Sequence, residues 1–140
     1  MTGRRTTTQS AMSIRLIHAA QIAGVVLFAL VAHFVLRPSM AGSPTLPAFV
    51  PALLVGLSLA ALGSSFLLGK RIPRRSSEES ASLYWATAAT PALLTWTPLE
   101  AAGLLGVFVY ALTGSPAVLG IAAVAVICMA ILNPGYLERR

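Results

Sequence analysis

Charge is what this sequence has least of. Only 10% of its 140 residues are Asp, Glu, Lys or Arg, and just four of them are acidic. A soluble domain carries about 25% charged residues, because its surface must be wetted. A chain so poor in charge cannot cover itself that way. Cysteine is scarcer still: Cys128 stands alone, which excludes an intrachain disulfide and any paired-cysteine redox or zinc motif. The two histidines and four acids form no cluster at metal-ligand spacing, so no metal is expected. There is no glycine-rich phosphate loop and no recognisable triad, so neither an enzyme nor a cofactor site is expected.

What the chain has in quantity is apolar sequence, 56% of its residues, with a mean hydropathy of +0.80. A net charge of +6 and a pI near 10.8 would suit a nucleic-acid ligand if the basic residues shared a face. They fall instead in short clusters between apolar runs, the pattern of membrane topology signals. The bilayer is the expected partner, and nucleic acid is not.

Crossing ~30 Å of hydrocarbon takes ~20 predominantly apolar helical residues. The first candidate span covers 14–36, stopped by Arg37-Pro38. The second covers 49–69 and ends at the basic stretch Lys70 to Arg75, with Pro47 and Pro51 at its start, where missing N–H donors do no harm. The third ends at Leu112, and the fourth covers 116–132, stopped by Asn133-Pro134-Gly135. The stretch 82–112 would make ~46 Å of helix, too long for one crossing. The span proper is therefore placed at 91–112, opened by Pro91. Residues 82–90, with Tyr84 and Trp85, become an interfacial lead-in after a loop over 70–82. Ser76 and Glu79 offer that lead-in a capping box.

Nine of the ten Lys and Arg residues lie in the N-terminal region, the 70–82 loop and the C-terminal tail, with Arg37 alone on the other side. Positive charge accumulates on the cytoplasmic side, so both termini are expected there. Ser39-Met40-Ala41 has the form of a signal-peptidase site. The apolar run before it is longer than usual and holds two histidines, so it is read as a span. Arg4-Arg5 is read as a topology charge. The expectation is an all-α, four-helix transmembrane bundle forming a single membrane domain over 1–140, in a bacterial inner membrane.

The run Gln21-Ile-Ala-Gly aligns with Glu100-Ala-Ala-Gly, matching Ala23 with Ala102 and Gly24 with Gly103. Each stretch lies on a span expected to run outward and followed by a returning span, which suggests two hairpins related by duplication. Glu100 is the residue that demands an account. An acid near the bilayer centre costs ~2.5–3.5 kcal/mol, so it has a partner or a task. Gln21 and Thr97 are the candidate partners, making a polar site between helices or an ion or proton site. Ala102 and Gly106 form a small-xxx-small pair beside it. Together with Gly24 and Gly103 they are the candidate helix-packing positions, expected to join copies or partner subunits through the first and third spans.

The run Glu100-Ala101-Ala102-Gly103-Leu104-Leu105-Gly106-Val107 resembles the carboxylate helix of rotary ATPase proteolipid (c) subunits. There a Glu-Ala pair is followed by aliphatics and by a glycine six residues after the acid. The likeness covers residues 100–112 of the 140. It implies a lone carboxyl used for ion or proton movement, with Gln21 standing where a duplicated hairpin has lost its acid. Proteolipids carry the acid on the second helix of each hairpin, whereas Glu100 is on the first, and their glycine-rich helix is absent here. A rotor subunit is therefore not expected.

His18 and His33 lie ~22 Å apart along one helix and cannot share a metal or haem. The segment around His33 and Arg37-Pro38 also resembles the pigment-binding helix of light-harvesting polypeptides, which are single-span proteins. Both histidines are read as lying at the two interfaces, solvated or hydrogen-bonded. Ser58, Ser64 and Ser65 are read as backbone-bonded packing residues. The leading expectation is a small structural or accessory membrane protein, with a conducting element using Glu100 as the alternative.

Overall fold

The apolar runs all become helix. In the computed structural model, which describes residues 3–40 and 47–139 with side chains from Ala11 onward, no described residue is in a strand. Ala41 of the cleavage-like motif, Gly42, the side chains of Arg4 and Arg5, and Arg140 lie outside the described residues.

Helix α1 spans Gly3–Val31 and continues without a break through a π-helical turn, Ala32–Leu36, and a last turn, Arg37–Ser39. Pro38 accounts for the wide turn: it has no N–H, and its ring clashes with the carbonyl four residues back. The chain opens before it, and the Arg37 N–H bonds to Ala32 O, five residues back. Helix α2 spans Phe49–Gly69 and α3 spans Ala81–Thr113. After the 3-10 turn Pro116–Val118 come α4, Leu119–Ile131, and the short α5, Pro134–Leu137. Three helices are long and apolar enough to cross a membrane: Ala11–Ser39, Phe49–Gly69 and Ala81–Thr113. Pro116–Ile131 is apolar but shorter.

The start of the third span differs from expectation. Helix α3 begins at Ala81 and runs through both Pro91 and Pro98. Its cap is Ser80, whose Oγ accepts the Leu83 N–H at 3.3 Å. Ser76 and Glu79 form only a turn, with the Glu79 N–H bonded to Ser76 O. Prolines are tolerated inside membrane helices where hydroxyl side chains satisfy freed carbonyls. Hydroxyls on this stretch bond back to their own helix: Thr95 Oγ1 donates to Pro91 O at 2.8 Å and Thr97 Oγ1 to Leu93 O at 2.9 Å, beside the Leu94 carbonyl that Pro98 leaves without its N–H. Tyr84 and Trp85, in the lead-in, are each 1% exposed and packed into the protein's own core.

Helix α3 is the axis on which α1, α2 and α4 all pack. Half of its most apolar window is buried inside the protein, against 11% for α1 and α2. The outer faces of α1 and α2 present Leu16, Leu27, Leu53, Leu57, Phe66 and Leu67, more apolar surface than a water-soluble protein leaves bare. The first two helices, though consecutive, meet at most marginally, whereas α3 and α4 pack closely. The two helix pairs are therefore not built alike, and the first is not a closed hairpin.

Candidate functional site

Helices α1 and α3 run parallel along a seam whose partners keep nearly constant register. Gln21 meets Glu100 across 79 positions, and His33 meets Tyr110 across 77. Arg37 meets Gly114 across the same 77. The residues superposed by the internal alignment thus face one another in space.

Gln21 Nε2 donates to Glu100 Oε2 at 2.9 Å. Oε1 of Glu100 lies beside Gly24, 3.9 Å from where a Cβ would stand. Oε1 of Gln21 is buried without a hydrogen-bond partner. Thr97 is no part of the pair: it is exposed, and its hydroxyl donates to Leu93 O on its own helix.

The packing glycines have separate tasks. A Cβ on Gly103 would lie 2.9 Å from a Val25 methyl, so this glycine sets the closeness of α1 and α3. Gly106 backs onto α4, where a Cβ would lie 3.3 Å from the Ala122 backbone nitrogen. Gly24 has ordinary room and sets no approach. Ala102 is fully buried. Gly103 makes its close approach to α1 and Gly106 to α4, within this chain.

His18 is hydrogen-bonded rather than solvated. It is 4% exposed, its ring lies edge-on to Trp96 at 4.5 Å, and Nε2 stands 3.0 Å from Met129 O. A carbonyl only accepts, so Nε2 carries the proton. The contact closes an accounting that sequence reasoning missed. Helix α4 ends at Asn133-Pro134, and the last carbonyls of a helix lack intrahelical partners. Here Met129 O takes the His18 N–H, Ala130 O takes Asn133 Nδ2–H at 2.7 Å, and Leu132 O takes Trp96 Nε1–H at 3.0 Å. An Asn-Pro stop on an apolar helix was the available signal, since it calls for N–H side chains at that depth.

At one end of the seam His33 Nδ1 and Tyr110 Oη are 2.6 Å apart. Arg37 donates to Gly114 O at 2.7 Å, its guanidinium carbon 5.2 Å from the Tyr110 ring centre. Gly114 caps α3 at φ 71°, so the turn requires glycine, and a Cβ there would lie 2.5 Å from Arg37 Nη2 and displace the guanidinium.

At the other end Glu138, 12% exposed, accepts from Arg15 at 2.8 Å and from Trp85 Nε1 at 2.8 Å. Burial by itself would raise its pKa. The Trp85 and Arg15 hydrogen bonds, with the Arg15 and Arg75 charges, outweigh that and hold it below the ordinary value of 4.5. Arg75 Nε donates to Glu79 O at 2.8 Å, and its Nη1 reaches Glu138 O at 3.4 Å.

Fold and seam together define an all-helical, membrane-embedded protein whose polar side chains mostly serve its own architecture. No known protein family, curated protein or solved structure matches the chain. Among the described residues no group of His, Cys, Asp and Glu is arranged to hold a metal ion.

Proposed function

We propose that the chain is a small structural or accessory protein of a bacterial inner membrane. On this reading it crosses the bilayer four times as a helix bundle with both termini cytoplasmic. It assembles with its own copies or with the subunits of a larger membrane complex, and it catalyses no reaction. One observation carries the choice over a conducting role. Between Glu100 and Tyr110, ~15 Å along α3, the seam is packed with apolar side chains. Val25 is 1% exposed, and Ala32 and Val107 are fully buried. A proton or ion following the seam would meet this plug with nothing to bind. The lipid-like outer faces of α1 and α2 supply the area for neighbours. Native mass measurement in a mild detergent tests the reading. Discrete oligomers or co-purifying subunits are expected, and a strict monomer in detergent and nanodisc alike would overturn it.

A second reading, a conducting element using Glu100, draws on the buried and unpartnered Gln21 Oε1. Its test is proton flux in proteoliposomes. Glu100→Gln, which cannot ionise, would abolish flux, and dicyclohexylcarbodiimide would label Glu100 and block it. Leakage no greater than that of empty liposomes, in wild type and variant alike, would sink it.

A further inference from the structure

At the Glu138 end of the seam a polar cleft of about 340 Å³ opens between the loop after α2 and the C-terminal tail, lined by Arg75, Ser76, Ser77, Glu138 and Arg139. We propose that this cleft binds the phosphate of an anionic lipid headgroup.

Glu138 is the acid in the cleft, and Arg15 engages both of its oxygens, at 2.9 and 2.8 Å. Its charge is matched from outside the cleft lining. Arg75 is in the opposite position. Its side-chain hydrogen bonds run to the Glu79 and Glu138 carbonyls, which are neutral. They hold the guanidinium in place, and although its charge also acts on Glu138, both oxygens of that carboxylate are already bonded by Arg15, which leaves the cleft with excess positive charge. A cation fixed in advance binds an anion without first losing its own conformational freedom. Arg139 is exposed and supplies a second positive charge, and Ser76 and Ser77, also exposed, bring hydroxyl donors. In the same loop exposed Lys70, Arg71 and Arg74 outnumber the acids Glu78 and Glu79, so the field around the mouth stays positive.

Position selects the ligand. The loop joins the end of α2 at Gly69 to the start of α3 at Ala81, and Glu138 follows the end of α4. The ends of three apolar helices thus converge at the cleft. In a membrane-embedded chain that is the depth of the headgroups, where phosphate is the abundant anion and each Lys or Arg near an anionic surface adds about 1 kcal/mol of attraction.

The test uses the full-length protein in nanodiscs of phosphatidylcholine with and without phosphatidylglycerol. Lipids retained after extraction are counted by native mass spectrometry. Wild type is expected to retain phosphatidylglycerol selectively. Arg75→Gln with Arg139→Gln is expected to lower that retention about thirtyfold, the worth of two basic groups near such a surface. Arg139→Gln alone, at an exposed position, is expected to lower it about fivefold and keeps the test open if the double variant misfolds. Arg37→Gln, at the opposite end, should change nothing. Unchanged retention in the single and double variants would overturn the proposal. So would equal loss in Arg37→Gln, which would mean general charge attraction. Displacement of the lipid by millimolar inorganic phosphate would identify a free-anion site and overturn it as well. None of these outcomes depends on whether the protein is an oligomer.

Discussion

Gln21 and Glu100, 79 residues apart, meet at 2.9 Å across two parallel helices. The contact joins the two positions that the internal alignment superposes, so the parallel packing of α1 on α3 brings like next to like. It also leaves the pair half satisfied, since Gln21 Oε1 is buried without a donor.

Truncation and isosteric replacement of Glu100 should therefore behave differently. Glu100→Ala strands the Gln21 amide in a dry site, and leaving a buried polar group unpaired costs about 1–3 kcal/mol. Glu100→Gln keeps an acceptor within reach of Nε2 and should cost less than half as much. Denaturant unfolding from mild detergent would compare them. Equal losses would mean that the 2.9 Å contact contributes nothing in the membrane-mimetic state.

The glycines separate by the space around them. Gly103→Ala drives a methyl to within 2.9 Å of Val25, a stiff side chain 1% exposed that cannot yield. Overpacking of this kind costs about 1–3 kcal/mol, which outweighs the helix-propensity gain of about 1 kcal/mol. Gly24→Ala meets its nearest neighbour at 3.9 Å and should be neutral or mildly stabilising. Gly106→Leu should destabilise the monomer itself, because it collides with α4 at Ala122. The same unfolding assay checks all three. A Gly106→Leu variant that folds normally but fails to assemble would make this face an oligomer interface.

These contrasts also mark what could be read from the chain. The Phe49–Gly69 helix was legible because prolines and a basic stretch bracket an unbroken apolar run. The start of α3 was not. Proline is a helix breaker in water, so Pro91 read as a boundary, but in an apolar, packed helix it is tolerated and the helix runs through both Pro91 and Pro98. Trp85 looked like an interfacial aromatic because its partner, Glu138, is 53 residues away. The partner of His18 was not legible because what it bonds is a backbone carbonyl, and no side chain announces that. Local hydropathy reports spans. Which polar atom is left over at a helix end emerges only when helices are placed side by side.

The tail clasp predicts a pH dependence. Because the folded-state pKa of Glu138 is lowered, its stabilisation is present above the ordinary value of 4.5 and is lost as pH falls through the lower folded value. Thermal stability in detergent should fall on acidification across that window, and Glu138→Gln should flatten this part of the profile. Glu138→Gln should also lower stability above the window, by about 1–3 kcal/mol, since it weakens hydrogen bonds to a charged group. An unchanged acid limb in the variant would assign the pH effect to other carboxyls.

Topology gives the last prediction, in two separable parts. Glu138 is bonded to Arg15 and Trp85, so the start of the α1 span, the start of α3 and the C-terminal tail lie at one end of the molecule. Arg37 against Gly114 lies at the other. Reporter fusions at Ser77 and after Arg140 must therefore agree with each other, whatever the charges do. Which side they report is set by charge, with nine of ten basic residues at that end, so both should read cytoplasmic and a fusion at Gly42 should read external. If Ser77 and Arg140 read the same but both external, the orientation is reversed and the packing stands. If they read opposite sides, α4 does not return across the membrane. The clasp between Glu138 and Arg15 then cannot form in the bilayer.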